Sequence, residues 1–186
     1  IYVRQSKVEG YRSRAVYKLQ EIDEKFKIFK NGISLIDLGA APGSWSQYAE
    51  KKIKNGKILS IDLNEIKNIE NTFQLKGDFT DSKYKTEIKE YFDGKVDVVL
   101  SDMAVNTTGN KNLDSIYTGE LCIDAMNFSK EILCNNGKFI SKIFMGSTFN
   151  EIVAQAKKIF KESKVFKPAA SRKGSKESFI ICKFLR

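Results

Sequence analysis

The 186-residue sequence contains no histidine, only three cysteines and only two prolines. Without histidine there can be no Ser-His-Asp triad, no Cys-His pair and no histidine-ligated metal. A general base must therefore be Asp, Glu, Lys, Tyr or Cys. Because Cys122, Cys134 and Cys182 form no C-x-x-C motif, neither a zinc site nor a thioredoxin-like site is supported, and we expect no bound metal.

Long apolar runs are also missing. No run approaches the ~20 residues of a membrane-spanning helix, and there is no apolar core of a signal peptide. A small, odd number of cysteines is typical of a reducing compartment. We expect a cytoplasmic monomer without membrane association; a mitochondrial location stays open if a leader once preceded Ile1. The length suits one domain over 1–186, with a basic helical segment at 1–30 before a cofactor-binding and catalytic core at 31–186.

Acidic side chains are scarce at both ends of the chain, and the net charge of the whole chain is +9. Residues 1–30 contain eight basic and four acidic side chains, and residues 157–186 contain ten basic and two acidic ones. Residues 31–156 contain 14 basic and 17 acidic side chains. Basic ends of this kind indicate either simple solubilisation or a surface that binds a polyanion such as RNA, and composition does not decide between them.

Apolar periodicity alternates between strand and helix along most of the chain. Helical spacing occurs at 13–26, 45–52, 83–92, 115–133 and 150–160. Strand-like runs occur at 34–38, 57–62, 72–76, 96–102, 138–144, 164–167 and 178–185, and the last two have no helix between them. The pattern predicts an α/β fold with a largely parallel sheet, helices on both faces and an antiparallel hairpin at one edge.

Small or acidic residues follow the ends of the first four predicted strands: Gly39, Gly43, Asp62, Asp78 and Asp102. Ligands of open parallel sheets bind beyond these carboxyl ends, where a carboxylate suits the two hydroxyls of a ribose. The turn D-L-G-A-A-P-G-S-W lacks the third glycine of a pyrophosphate-binding turn. The pattern therefore favours an adenosine ligand such as S-adenosylmethionine over NAD, and a dinucleotide-dependent oxidoreductase remains the alternative.

Six segments, in order along the chain, resemble the FtsJ/RrmJ family. They are GYRSRAVYKLQEID (10–23), LIDLGAAPGSWSQYA (35–49), KGDFTD (76–81), LSDMAVNTTG (100–109), GKFISKIF (137–144) and KPAASRKGSKESFIICK (167–183). The resemblance implies an S-adenosylmethionine-dependent RNA 2′-O-ribose methyltransferase. It also implies a Rossmann-like, class I methyltransferase fold with a seven-stranded sheet and a Lys–Asp–Lys–Glu catalytic tetrad.

The resemblance places the functional residues position by position. The implied tetrad is Lys18, Asp102, Lys142 and Glu177. The implied cofactor-binding residues are Gly39, Gly43, Trp45, Asp62, Asp78 and Asp102. Two positions depart from the family pattern: Ser44 stands where a second glycine is frequent, and Val105 where many relatives have proline or another small residue.

In a chain without histidine, a lysine is the plausible base for a ribose hydroxyl if its pKa falls from ~10.4 toward neutrality. Lys142 lies in an apolar strand, so we expect burial and the nearby Lys18 to lower its pKa. Asp102 and Glu177 would oppose that shift while orienting the amines and the hydroxyl. The basic ends then form an RNA-facing rim, for which we expect Arg4, Lys7, Arg12, Arg14, Arg172, Lys173 and Lys176.

The 2′-hydroxyl acceptor implies RNA rather than DNA. A single-domain member of this size resembles the bacterial enzymes that modify a uridine in large-subunit (23S) rRNA during ribosome maturation. A tRNA or mitochondrial rRNA methyltransferase remains an alternative, and so does an RNA-binding domain without catalysis.

Overall fold

A computed structural model describes residues 1–104 and 108–186, so Val105 lies outside the described residues. The helices are α1 (Tyr2–Glu9), α2 (Val16–Phe26), α3 (Ser44–Lys52), α4 (Ser82–Phe92), α5 (Lys111–Ile132) and α6 (Phe149–Ile159). The strands are β1 (Ser34–Leu38), β2 (Lys57–Asp62), β3 (Phe73–Lys76), β4 (Val96–Ser101), β5 (Leu133–Phe144), β6 (Phe160–Phe166) and β7 (Glu177–Leu185). None of the helices within these ranges is both long enough and apolar enough to cross a membrane.

The seven strands form one sheet in the order β3-β2-β1-β4-β5-β7-β6. The first five strands in this order run parallel, whereas β7 pairs antiparallel with both β5 and β6. The predicted α/β class, the mostly parallel sheet and the antiparallel edge hairpin are thus confirmed. Helix α1 lies within the segment 1–30 that was predicted to be helical, but its bounds were not predicted, because it presents no apolar stripe: Ser6 is its one buried residue.

Side-chain alternation along the strands divides the core between the two faces of the sheet. Ile36 and Leu38 of β1 belong to a buried cluster that includes residues of α4, α5 and α6. Leu35, the residue before Ile36, projects to the other face and belongs to a second cluster with residues of α2 and α3. Helices therefore cover both faces, and α2 packs against the face to which Phe179 and Ile181 of β7 also project.

Asp23 ties the end of α2 to its neighbours. Its Oδ1 accepts hydrogen bonds from the backbone N–H groups of Ile28 and Phe29, at 3.0 and 2.9 Å. Its Oδ2 accepts one from the hydroxyl of Tyr48 on α3, at 2.8 Å. Because a charged acceptor strengthens each bond, this side chain fixes the position of α2 relative to α3.

Replacing Asp23 by Ala should lower the free energy of unfolding by about 2–4 kcal/mol, since two backbone donors and one phenol lose a charged acceptor. Urea unfolding of Asp23→Ala, with Asp23→Asn as the control that keeps one carbonyl oxygen, measures this loss. The Asn variant should lose less. An Ala variant as stable as the wild type would contradict the anchoring role.

Candidate active site

A cavity of about 600 Å³ opens at the carboxyl ends of the parallel strands. Its lining includes Gly39 after β1, Asp62 at the end of β2, Asp78 after β3 and Asp102 after β4. Within the described residues, each ionisable side chain of the lining is a carboxylate: Asp62, Asp78, Asp102 and Asp124. We call this the acidic cavity; its charge suits a cationic ligand.

Asp62 and Asp78 are held in place by the backbone next to them. Asp62 Oδ2 accepts from the N–H of Ala41 at 2.9 Å, and its Oδ1 accepts from the N–H of Asn64 at 2.7 Å. Asp78 Oδ1 accepts from both the N–H and the hydroxyl of Thr80, at 2.9 and 2.7 Å. Because each carboxylate oxygen has more than one lone pair, these contacts orient the side chains and leave acceptor capacity for a ligand.

Gly39 fits its place in the cavity for a steric reason. Its φ is +67°, and the side chain of Met103 lies where a β-carbon would project. Met103 also lines the cavity, together with Leu121 and Asp124 of α5. Met103 was not predicted, because only small or acidic residues were singled out at the strand ends, and Leu121 and Asp124 were not predicted, because they lie on a helix.

Two predicted cofactor residues, Gly43 and Trp45, do not line the cavity. The Trp45 ring is buried against Phe179, and its Nε1 donates to the carbonyl of Ala15 at 2.8 Å. Gly43 has φ +120°, and a β-carbon there would come within 2.9 Å of Arg12 Nη1. Both residues instead contact the N-terminal segment from the turn after β1 and the start of α3. A direct contact of Gly43 or Trp45 with the cofactor remains a prediction.

The four predicted tetrad residues come together at one side of the acidic cavity. Lys142 Nζ lies 3.1 Å from Asp102 Oδ1 and 3.4 Å from Glu177 Oε1. Lys18 Nζ lies 2.7 Å from the same Glu177 oxygen. The side chains are between 8% and 17% exposed, so these ion pairs are screened far less than surface pairs. The result is a partly buried row of alternating charge.

The strand register brings three of these residues together. Lys142 pairs with Phe179 across the antiparallel ladder, and Phe144 pairs with Glu177. Side chains two residues apart project to the same face, so Lys142 and Glu177 are diagonal neighbours. Asp102 directly follows β4, the parallel neighbour of β5. Lys18 reaches the row from α2, which packs over this face.

The charges in the row change one another's pKa values. Burial alone lowers the pKa of Lys142, but the carboxylates of Asp102 and Glu177 outweigh burial and raise it above its ordinary value. Burial likewise opposes ionisation of Glu177, yet Lys142 and Lys18 lower its pKa. Burial dominates at Asp102 and raises its pKa. The predicted fall in the pKa of Lys142 is therefore wrong for the free protein, in which this lysine is an ammonium.

A second, smaller cavity of about 300 Å³ lies on the other side of the row. Its lining includes Lys18, Lys142 and Glu177 together with Arg14 and Arg172. We call it the basic cavity, because these four cations face one carboxylate. Arg14 Nη2 also donates to the carbonyl of Ala170 at 2.6 Å, which connects the N-terminal segment to the chain leading into β7.

The other predicted RNA-binding residues divide into two groups. Arg4, Lys7, Lys173 and Lys176 are exposed, as an RNA-facing rim requires. Arg12 is not available in the same way, because its guanidinium donates to three backbone carbonyls, those of Pro42, Lys67 and Asn68. Three of its five donors are thus used within the protein, and an RNA contact of Arg12 stays a prediction.

Asp37 of β1 is a buried carboxylate next to the site that was not predicted. Its Oδ2 accepts from Ser46 Oγ at 2.7 Å, and Ser46 Oγ lies 2.6 Å from Ser60 Oγ. Burial raises the pKa of Asp37 to about 7, against the lowering effect of Ser46, and the charges of Asp102 and Asp62 raise it further. Near neutral pH this residue therefore titrates.

The sheet order, the acidic cavity at the strand ends and the row of charges define an α/β fold of the methyltransferase class. The FtsJ-like methyltransferase family model matches residues 11–185, and the chain belongs to this family. The predicted resemblance, the methyltransferase activity and S-adenosylmethionine as methyl donor are thereby confirmed.

Curated relatives are similar over nearly their whole length. The chain is 69% identical to the ribosomal RNA large subunit methyltransferase E of Pelagibacter ubique, over 100% of this chain and 92% of the relative. It is 47% identical to the protein of the same name from Rickettsia akari, over 97% of this chain and 82% of the relative.

Solved structures show the same architecture. A Plasmodium falciparum protein described as a ribosomal RNA methyltransferase superposes with a TM-score of 0.85 at 32% identity, over 94% of this chain and 98% of that one. Human methyltransferase-like protein 13, solved with SAH, superposes with a TM-score of 0.61 over 82% of this chain and 72% of that one. At 14% identity the human protein supports the fold alone.

The raised pKa of Asp37 predicts a pH-dependent effect of Asp37→Asn. The native state holds a proton on Asp37 up to about pH 7, whereas the unfolded chain releases it near pH 4. As the pH rises between these values, the free energy of unfolding of the wild type should fall relative to that of the Asn variant, by up to about 1.4 kcal/mol per pH unit. Above pH 7 the difference should level off.

Urea unfolding of both proteins at pH 5, 6, 7 and 8 measures this difference. Because the two proteins share all other titrating groups, the change in their stability difference reports Asp37. A difference that stays constant over this range would show that Asp37 is already ionised at pH 5.

Proposed function

We propose that this protein transfers a methyl group from S-adenosylmethionine to a ribose 2′-hydroxyl of large-subunit rRNA, a uridine in 23S rRNA, during ribosome maturation. The observation that carries the proposal is the 3.1 Å contact between Asp102 of the acidic cavity and Lys142 of the basic cavity. A cationic methyl donor and a polyanionic acceptor would meet at this contact, each in a cavity of opposite charge.

The residues of the acidic cavity fit the cofactor. Its four carboxylates match the positive charges of a sulfonium and an amino group. Asp102 Oδ1 is buried, lies 3.1 Å from Lys142 Nζ and has no hydrogen-bond partner among the residues that the structure describes. When bound, S-adenosylmethionine supplies the methyl group.

Lys142 is placed to handle the proton of the ribose hydroxyl. Its Nζ is the one tetrad amine in contact with both carboxylates, and it borders the basic cavity. A cationic ligand beside Asp102 would offset the carboxylate that raises the pKa of Lys142, so proton acceptance becomes easier once the acidic cavity is filled. Glu177 holds Lys142 and Lys18 together, and these amines orient the nucleotide.

The basic cavity and rim favour RNA as the acceptor. Arg14 and Arg172 line the cavity beside the tetrad lysines, whereas Arg4 and Lys7 lie on the exposed N-terminal helix. Lys173 and Lys176, exposed in the segment before β7, extend this surface. Cations distributed in this way bind phosphates with a strong dependence on salt concentration.

The names of the relatives support rRNA over tRNA. Both curated relatives are large-subunit rRNA methyltransferases from bacteria, which supports the cytoplasm and gives the mitochondrial alternative no support. We propose a monomer and one functional unit over 1–186, because a single chain supplies both cavities and all four tetrad residues. A non-catalytic RNA-binding domain would not need the acidic cavity.

Incubation with labelled S-adenosylmethionine tests the proposal, using ribosomal large subunits, small subunits and tRNA that lack the modification. Label should enter the RNA of the large subunit. Label confined to tRNA would favour the alternative substrate, and no label in any of these RNAs would contradict the proposed acceptor.

Lys142→Arg should abolish methyl transfer, because arginine keeps the positive charge but does not release its proton in proteins. Lys142→Ala should be equally inactive. Both variants should bind S-adenosylmethionine with an affinity near that of the wild type, which calorimetry without RNA measures. An active Arg variant would show that the cation, and not proton acceptance, is what the reaction needs.

The raised pKa of Lys142 also predicts the pH dependence of the wild type. If the neutral amine accepts the proton, kcat/KM should increase with pH, by up to about tenfold per unit, between pH 7 and 9. A profile that is flat or falls over this range would contradict the assignment of Lys142 as the base.

A further inference from the structure

Arg12 makes an unusual set of contacts for a side chain in a basic segment. Its Nη1 donates to the carbonyls of Pro42 and Lys67 at 2.9 and 2.7 Å, and its Nη2 donates to the carbonyl of Asn68 at 2.8 Å. No carboxylate forms an ion pair with it in the described part of the chain. The guanidinium thus bridges backbone segments and leaves few donors for a phosphate.

The bridged segments are those that form one wall of the acidic cavity. Pro42 lies in the turn after β1, which contributes Gly39 and Ala41 to the lining. Lys67 and Asn68 lie in the segment after β2, which contributes Leu63 and Asn64 to the lining and follows Asp62, the last residue of β2. Arg12 does not line the cavity itself, so any effect on the cofactor has to act through these two segments.

Close packing supports the bridge. Ala40, Ile66 and Ile69 form a small buried cluster between the same two segments. A β-carbon at Gly43 would lie 2.9 Å from both Arg12 Nη1 and Ile69 Cδ1, so the guanidinium fills the space beside the turn.

The backbone around Arg12 is itself attached to α3. The Arg12 N–H donates to Gln47 Oε1 at 2.9 Å, and Gln47 Nε2 donates to the carbonyl of Gly10 at 3.2 Å. The hydroxyls of Ser13 and Ser44 lie 2.8 Å apart. Ser44, one of the two residues that depart from the family pattern, thus takes part in this attachment.

We propose that Arg12 is a positioning residue of the cofactor site, which holds the turn after β1 against the segment after β2, and that it is not an RNA contact. The inference rests on the proposed function only in taking S-adenosylmethionine as the ligand of the acidic cavity. It assigns the basic N-terminal segment two roles: its exposed cations face RNA, and Arg12 shapes the cofactor cavity.

Replacing Arg12 by lysine distinguishes a phosphate-binding role of this residue from a bridging role. Lys keeps the positive charge that a phosphate contact needs, but it ends in one nitrogen and does not reproduce the planar fork that reaches three carbonyls in two segments. A phosphate-binding Arg12 therefore tolerates lysine, whereas a bridging Arg12 does not.

The experiment measures S-adenosylhomocysteine binding by calorimetry in the absence of RNA, for the wild type, Arg12→Lys and Arg12→Gln. Loss of two or more of the bridging hydrogen bonds should raise the Kd of both variants by about tenfold or more. The matched control is Arg4→Gln, which removes a charge from the same segment. This control should weaken RNA binding while leaving the Kd for S-adenosylhomocysteine unchanged.

Steady-state kinetics then distinguish positioning from a general loss of structure. Arg12→Lys should raise the KM for S-adenosylmethionine, while kcat at saturating cofactor and the KM for rRNA stay within about twofold of the wild type. Calorimetry needs no methyl transfer, so this test stands even if rRNA is not the acceptor.

Three outcomes would overturn the proposal. The first is an unchanged cofactor Kd in Arg12→Lys, and the second is weakened RNA binding in Arg12→Gln without any change in cofactor Kd. The third is loss of a cooperative thermal transition in both Arg12 variants, which would make Arg12 a residue of global stability.

Discussion

The ion pairs of Lys142 with Asp102 and Glu177 are the interaction on which the rest of the site depends. A cavity lined by carboxylates and a cavity lined by cations can share a wall only if the charges at the wall compensate one another. The row Asp102–Lys142–Glu177–Lys18 provides this compensation within distances of 2.7 to 3.4 Å. Partial burial makes an unpaired member of the row costly, and the strand order β4-β5-β7 brings Asp102, Lys142 and Glu177 together.

The N-terminal segment contributes residues to the surroundings of both cavities. Lys18 enters the charged row, Arg14 reaches the chain before β7, and Arg12 bridges the segments beside the cofactor cavity. Trp45 supports this arrangement by holding Ala15, at the start of α2. The basic segment 1–30 and the core 31–186 thus differ in composition, but both contribute residues to the site.

Much of this arrangement could be predicted from the sequence. The apolar runs predicted β1, β2, β4 and the edge hairpin, and the resemblance predicted four tetrad residues that do lie together. The sign of the pKa change at Lys142 could not be predicted, because it depends on two carboxylates at 3.1 and 3.4 Å rather than on the apolar strand around it. The role of Arg12 was hidden for a similar reason: its acceptors are backbone carbonyls 30 and more residues away.

Identification of the methylated atom tests the central claim most directly. Large-subunit rRNA is methylated by the wild-type protein, digested to nucleosides and analysed by mass spectrometry. The account predicts a nucleoside whose added methyl group stays with the ribose when the glycosidic bond breaks, since Lys142 serves a hydroxyl at the border of the two cavities. A methyl group that stays with the base would contradict it.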